Sequence, residues 1–180
     1  QKSGIFGIVL YYGLTFWDIL PPIIFLGLGA MTDFSPVISN PKTLLLGAAA
    51  QIGIFVAFWG GLMTHLAVDI EFTVKQSAVI GIIGGADGPT TIFLSGILAP
   101  EILGVTAVIA YTYMASVVFI QPPLMRLLTT KKERAIVMKS PRDVTRIEKL
   151  IFPPLAMVGI ILLVPKSAPL ISMFMMGNLF

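Results

Sequence analysis

The sequence contains no cysteine. That excludes a disulfide framework, a thiolate metal site and a cysteine nucleophile. Charge is also scarce. Asp, Glu, Lys and Arg make up 12% of the 180 residues, about half the roughly 25% of an ordinary soluble domain. The one histidine, His65, sits at the end of an apolar run, so it reads as an interfacial residue and not as part of a metal cluster. No cleavable signal peptide is visible in residues 1–16, which lack a basic n-region and a small-residue cleavage site. The chain opens almost directly in apolar sequence, so an internal piece of a longer protein is expected.

What fills the sequence is hydrophobic. Apolar residues account for 56%, with 17 Gly and 13 Pro, and the mean hydropathy is +0.94. This balance belongs to the membrane class, where Gly and Pro are tolerated in helices. The expected fold is all-α: a polytopic membrane helical bundle with broken or re-entrant helices, one half of an internal-repeat transporter. Residues 1–180 are expected to form a single transmembrane domain.

Along the chain, the first apolar block runs from Ile5 to Met31, with Asp18 as its one charge and Pro21-Pro22 as an interruption. One helix should end near Thr15–Trp17, and a shorter one should run from about Ile19 to Ala30. Met31-Thr32-Asp33-Phe34-Ser35-Pro36 and Asn40-Pro41 break the pattern. Leu44 to Leu66 is the cleanest span, since about 20 apolar residues cross a bilayer. An acidic loop with Asp69 and Glu71 follows. Lys75 to Pro100 is apolar but cut by Gly84-Gly85-Ala86-Asp87-Gly88-Pro89. Glu101 to Gln121 should be a spanning helix stopped by Pro122-Pro123. Leu150 to Val164 is a further helix, and Ala168 onward starts another that stops at Gly177-Asn178.

Residues 122–149 form a basic loop. Its stretch 126–149 holds eight basic residues against Glu133, Asp143 and Glu148, a net +5. The positive-inside rule places it in the cytoplasm. It could serve topology alone or dock a soluble partner. No aromatic platform accompanies the charge, so nucleic acid is not an expected partner.

Asp87 is the unusual residue. It lies 12 residues beyond Lys75 and 14 before Glu101. A rise of about 1.5 Å per residue puts it roughly 18 Å from the first interface, near the midplane. This holds for one broken span and for a re-entrant hairpin alike. A carboxylate at that depth costs about 2.5–3.5 kcal/mol on insertion scales and normally faces a cavity, a partner or an ion. Pro89 lacks an N–H, and Gly84, Gly85 and Gly88 permit unusual backbone. The break thus frees carbonyls beside a carboxylate, the oxygen set that sodium wants and that broken transporter helices supply. The bland alternative is a paired acid in a packed bundle, with Gly81 and Gly85 as a close-contact GxxxG.

In the next helix, Thr106, Ile109, Tyr113 and Ser116 share one stripe, and Tyr111 falls opposite. Tyr113 is therefore expected to face the polar interior. Asp33, Asn40, Asn178 and Ser116 are secondary candidates for ion or substrate contact, with loop capping as the alternative for Asp33 and Asn40. Asp18 reads as interfacial.

The run Ile80-Gly81-Ile82-Ile83-Gly84-Gly85-Ala86-Asp87-Gly88-Pro89-Thr90 resembles the signature of the beta subunits of biotin-dependent sodium-pumping decarboxylases. The resemblance extends through Leu98-Ala99-Pro100-Glu101, Tyr111-Thr112-Tyr113-Met114-Ala115, Gln121-Pro122-Pro123 and Gly29-Ala30-Met31-Thr32-Asp33-Phe34 with Asn40-Pro41. It implies a subunit of a bacterial cytoplasmic (inner) membrane, multi-pass. Such a subunit decarboxylates carboxybiotin carried by a partner, exports sodium ion and takes up a proton. The family's essential aspartate matches Asp87 and its important tyrosine matches Tyr113. Partners implied are a biotin-carrying carboxyltransferase (alpha) subunit and a small single-span gamma-type subunit in a hetero-oligomer, with membrane lipid around them. The acyl donor (oxaloacetate, glutaconyl-CoA, methylmalonyl-CoA or malonate) is left open. Family members are longer, and a second broken-helix motif with Asn and Ser completes their site, so Asp87 is expected to be half of one. A sodium-coupled secondary transporter or sodium/proton antiporter is the rival reading, and a non-catalytic scaffold the third.

Overall fold

The computed structural model describes residues 4–16, 19–137 and 142–180. Asp18 lies outside the described residues, as does the side chain of His65. Every regular element among the described residues is helical. A short helix α1 (Ile5–Ile8) passes into a π-helical stretch, Val9–Phe16. Then come α2 (Leu20–Met31), α3 (Ser35–Ser39), α4 (Leu44–Leu62), α5 (Thr64–Val68), α6 (Val74–Ile83) and α7 (Gly88–Leu98). The chain continues with α8 (Leu103–Leu128), α9 (Lys131–Arg134), α10 (Arg146–Leu163) and α11 (Ala168–Asn178).

Local chemistry explains most of these ends. Short 3-10 turns led by Pro41, Pro100 and Pro165 feed α4, α8 and α11. A proline there loses an N–H that would be unpaired anyway. The residue before each (Asn40, Ala99, Val164) lies outside the helical region, with φ of −141°, −149° and −133°, because proline excludes its predecessor from it. Reciprocal capping boxes start α6 (Thr73 with Gln76), α9 (Thr130 with Glu133) and α10 (Thr145 with Glu148).

Two expected boundaries are wrong. Helix α8 does not stop at Pro122-Pro123 but runs through them to Leu128. The prolines cost two intrahelical hydrogen bonds, yet membrane helices tolerate such breaks where other groups can satisfy the freed carbonyls. Helix α10 begins at Arg146, not Leu150, because the Thr145 box starts it early. Both ends of the basic segment 122–149 are therefore helical.

Helices α4 and α8, with their leading turns, are long and apolar enough to cross a membrane, and few of their residues are buried. Leu44, Leu45, Leu46, Val118, Phe119 and Leu127 are all well exposed. An apolar surface of that extent requires lipid or protein neighbours to cover it.

The chain divides into two compact units, residues 1–47 with 140–180 and residues 48–139. In the first, α2 crosses α11 where Gly29 meets Gly177. A Cβ on Gly29 would stand 1.9 Å from the Phe174 carbonyl oxygen, and one on Gly177 would stand 2.0 Å from that of Leu26. No residue but glycine fits such a crossing. Phe174 stacks edge-on against Phe25 and Phe34, and Phe34 also meets Phe152, tying α10 and the break after α2 to the crossing.

In the second unit, α6, α7 and α8 pack on one another. Ser95 near the end of α7 hydrogen-bonds Thr106 near the start of α8 at 3.0 Å, both buried. The Gln76 amide in the first turn of α6 donates to Glu101 just beyond α7 at 3.0 Å. The outer ends of α6 and α7 therefore lie side by side, so the pair is a re-entrant hairpin with residues 84–87 at its tip. This decides between the two topologies the sequence left open. Neither arm, at 10 and 11 residues, could span the roughly 30 Å hydrocarbon core alone.

Candidate functional site

The hairpin tip is built by a helix end meeting a helix start. Gly84, Gly85 and Ala86 close α6 with i→i−3 bonds to Gly81, Ile82 and Ile83. Ala86 then turns the chain at φ 54°, a left-handed conformation uncommon for a residue with a Cβ. Asp87 is extended and caps α7, with Pro89 in the first turn. Its Oδ1 accepts the Thr90 N–H at 3.2 Å and its Oδ2 accepts the Thr90 hydroxyl at 2.6 Å. The Thr91 hydroxyl donates to the Asp87 carbonyl at 2.7 Å.

Two sequence readings change here. Pro89 does not break a preceding helix; it starts the following one, where its missing N–H is harmless. No described glycine has positive φ, so the glycines are not there for unusual backbone. They permit close approach. A Cβ on Gly84 would meet the Gly53 carbonyl at 2.7 Å, and one on Gly85 would meet Ile54 at 3.0 Å. One on Gly88 would meet the Tyr111 ring at 3.1 Å and the Met114 sulfur at 3.2 Å. Gly81 packs on α4 in the same way, 3.1 Å from the Ile54 carbonyl.

Asp87 sits at the positive N-terminal end of α7, where a carboxylate gains about 0.3–2 kcal/mol. Thr90 occupies one acceptor position on each oxygen. A carboxylate offers about four, so two remain. The carbonyls of Gly84, Gly85 and Ala86 accept no backbone hydrogen bond among the described residues. Carboxylate and free carbonyls together form a hard oxygen donor set of the kind broken transporter helices present to sodium. Among the described residues no group of three or more His, Cys, Asp or Glu could hold a metal.

The depth of Asp87 follows from α8. Gly88 lies level with Tyr111 and Met114, 11 and 14 residues past Pro100. That is about 16–21 Å along the helix from Pro100, roughly midway along a helix long enough to cross a bilayer.

The tyrosine reading is corrected in one respect. Tyr111 does not point away from the acidic motif, since its ring lies against Gly88. Thr106 and Ala110 are the buried residues of α8, and the Tyr111 ring and the Met114 sulfur are what stand against Gly88. Tyr111 and Tyr113 are 44% and 38% exposed. The secondary candidates separate. The Ser116 hydroxyl is used locally, donating to the Thr112 carbonyl at 2.8 Å. Asn40 precedes Pro41, and its carbonyl accepts from Thr43 at 2.8 Å. Asp33 and Asn178 line one cavity of the first unit, together with Lys149, which sequence reading did not single out. Thr90 was missed too, although Asp-Gly-Pro-Thr carries the cap spacing openly.

Comparison with known proteins agrees with this motif. The family model for the Na+-transporting oxaloacetate decarboxylase beta subunit matches residues 2–180. The methylmalonyl-CoA decarboxylase subunit beta of Veillonella parvula is 58% identical over 163 residues, 91% of this chain and 42% of its own length. The glutaconyl-CoA decarboxylase subunit beta of Acidaminococcus fermentans is 55% identical over 164 residues, covering 91% and 42%. The oxaloacetate decarboxylase beta chain of Klebsiella pneumoniae is 57% identical over 161 residues, covering 89% and 37%. The chain thus spans about two fifths of the length of these relatives. With almost every residue inside the family model, the chain belongs to the Na+-transporting oxaloacetate decarboxylase beta subunit family.

Proposed function

We propose that this chain forms part of the membrane subunit of a sodium-translocating decarboxylase, and that Asp87 is its ion and proton site. The observation that carries this reading is a carboxylate with free valences, at mid-membrane depth, beside unpaired carbonyls at a hairpin tip. Sodium, the transported substrate, binds the ionised Asp87 with carbonyls of Gly84, Gly85 and Ala86, and Gly88 keeps the tip close to α8. Protonation of Asp87 removes its charge, so sodium and a proton exclude each other. Loss of CO2 from carboxybiotin leaves a ureido nitrogen that takes up one proton. Delivering that proton by way of Asp87 couples decarboxylation to sodium release.

Tyr113 is proposed as the proton-relaying hydroxyl, on the strength of the family resemblance, and Tyr111 as the residue that seats the hairpin tip. The reading includes a biotin-carrying carboxyltransferase partner, a small single-span subunit and a bacterial cytoplasmic membrane with the basic segment 126–149 inside. Relatives named for three different acyl donors are 55–58% identical to this chain. That near-equality supports acyl choice residing in a partner subunit.

The test is Asp87→Asn in the intact complex, which should abolish sodium-dependent decarboxylation. Near-normal sodium-coupled turnover would sink the assignment. Tyr113→Phe should lose more activity than Tyr111→Phe; the reverse order would move the relay to Tyr111. Ion exchange in liposomes without any biotin-carrying partner would favour an antiporter instead.

A further inference from the structure

The first unit holds a cavity of about 160 Å³ where the break after α2 meets the start of α10 and the end of α11. Its polar groups are specific in kind. Asp33 Oδ1 is held by the N–H and hydroxyl of Ser35 at 2.9 and 2.5 Å, which leaves Oδ2 open. Lys149 Nζ stands 3.8 Å from Asp33 Oδ1, and both side chains are well exposed. That separation exceeds a hydrogen bond, so the ammonium keeps its donors for another acceptor. The Asn178 amide nitrogen donates to the carbonyls of Gly29 and Thr32 at 3.1 and 2.6 Å. Its orientation is fixed, because only the nitrogen can face two carbonyls. The Asn178 side-chain oxygen is thus left as an acceptor. Phe34 supplies an apolar wall, pinned by Phe152 and Phe174.

A cation fits this cavity poorly, since an ammonium already faces the only carboxylate. The complement of a strong cationic donor, two acceptor oxygens and a flat apolar wall is a small planar group bearing both a carboxylate and an N–H. The volume is below the roughly 300 Å³ at which pockets for whole drug-sized ligands begin, so a head group fits and a complete acyl-CoA does not. The cavity also opens beside the basic segment that ends at Lys149. There Arg142 bridges the Ile38 carbonyl and Glu148, on the side a soluble carrier would approach.

We propose that this cavity receives the carboxylated ureido head of the partner's biotin. Lys149 pairs with the carboxylate, Asp33 and Asn178 accept the remaining ureido N–H, and the ring lies over Phe34. The proposal rests on the functional reading above and adds to it the place where the carboxyl carrier docks.

The test uses the intact complex with its biotin charged with a radiolabelled carboxyl group, followed through one turnover at varied sodium. Lys149→Met should slow loss of label about 10- to 100-fold, the scale of a charge-assisted contact, without shifting half-saturating sodium. Lys149→Arg should restore most of the rate. Asp33→Asn, which preserves size, should slow it less. Sodium protection against thermal unfolding should persist in Lys149→Met, showing an intact fold. Wild-type label loss in both Lys149→Met and Asp33→Asn overturns the proposal. A shifted half-saturating sodium with an unchanged maximal rate also overturns it, since the cavity would then serve the ion. In either case the functional reading stands. If the wild-type complex loses label at a rate indifferent to sodium, that reading fails and the proposal falls with it.

Discussion

Replacing Gly29 by alanine is expected to be among the most damaging single-methyl changes in the chain. The new Cβ would stand 1.9 Å from the Phe174 carbonyl oxygen, where ordinary contact begins at 3.4 Å. The obstacle is backbone, so no rotamer change relieves it. Helices α2 and α11 must separate by about 1.5 Å to restore van der Waals distance. Overpacking of this kind costs about 1–3 kcal/mol. Separation also stretches the Asn178 bond to the Gly29 carbonyl, 3.1 Å long, worth about 1 kcal/mol more. The sum is about 2–4 kcal/mol. Gly27 supplies the control. It is exposed on the same helix, and a Cβ there meets nothing within 4 Å. Gly27→Ala should stabilise by about 0.5–1 kcal/mol through reduced backbone entropy. The assay is detergent-solubilised unfolding of the full-length protein, followed by circular dichroism. A Gly29→Ala protein as stable as Gly27→Ala would refute the close crossing.

Three further outcomes follow from the same geometry. The segment has no native cysteine, so single cysteines at Lys75, Glu101 and Lys131 can be labelled with an impermeant maleimide in oriented vesicles. Positions 75 and 101 should react from one side and 131 from the other; a split between 75 and 101 would refute the hairpin. The Arg142 guanidinium, bonded to both Glu148 oxygens at 2.7 and 2.9 Å, helped by Thr145, holds the Glu148 carboxyl at about 2 against an ordinary 4.5. Its contribution is therefore full above pH 4.5 and fades as pH falls toward about 2. The melting difference between wild type and Glu148→Gln should shrink over that window, and a pH-independent difference would count against the ion pair. The Ser77 hydroxyl is buried without a partner among the described residues. Ser77→Ala should be neutral or stabilise by up to about 1 kcal/mol, and a clear loss in the same unfolding assay would reveal an unseen partner.

Local signals in the sequence were sufficient for most of the elements. The breaks at Met31–Ser35 and Gly84–Pro89 each appear where turn residues interrupt apolar runs, because backbone preference is a near-neighbour property. The expected depth of Asp87 rests on rise per residue counted from Lys75 and Glu101 as interfacial charges. What failed depended on contacts. Pro122-Pro123 looks like a stop by propensity, but the helix runs through both to Leu128. Tyr111 looked remote because the stripe was chosen by counting hydroxyls. Its contact with Gly88 is a tertiary approach that helix periodicity does not encode. The meeting of Asp33 with Lys149 and Asn178 joins it to positions more than a hundred residues away. No periodicity encodes it. The Gln76–Glu101 bond that makes the hairpin is a similar case, two ordinary interfacial residues until the fold aligns them.

The central claim is that Asp87 binds sodium in competition with a proton. Equilibrium binding of radioactive sodium to the purified full-length protein, measured across pH with Asp87 intact and in Asp87→Asn, tests it directly. The expected result is wild-type affinity that falls as pH falls, and no pH-dependent sodium binding in Asp87→Asn. Retention of wild-type sodium affinity in Asp87→Asn would contradict it.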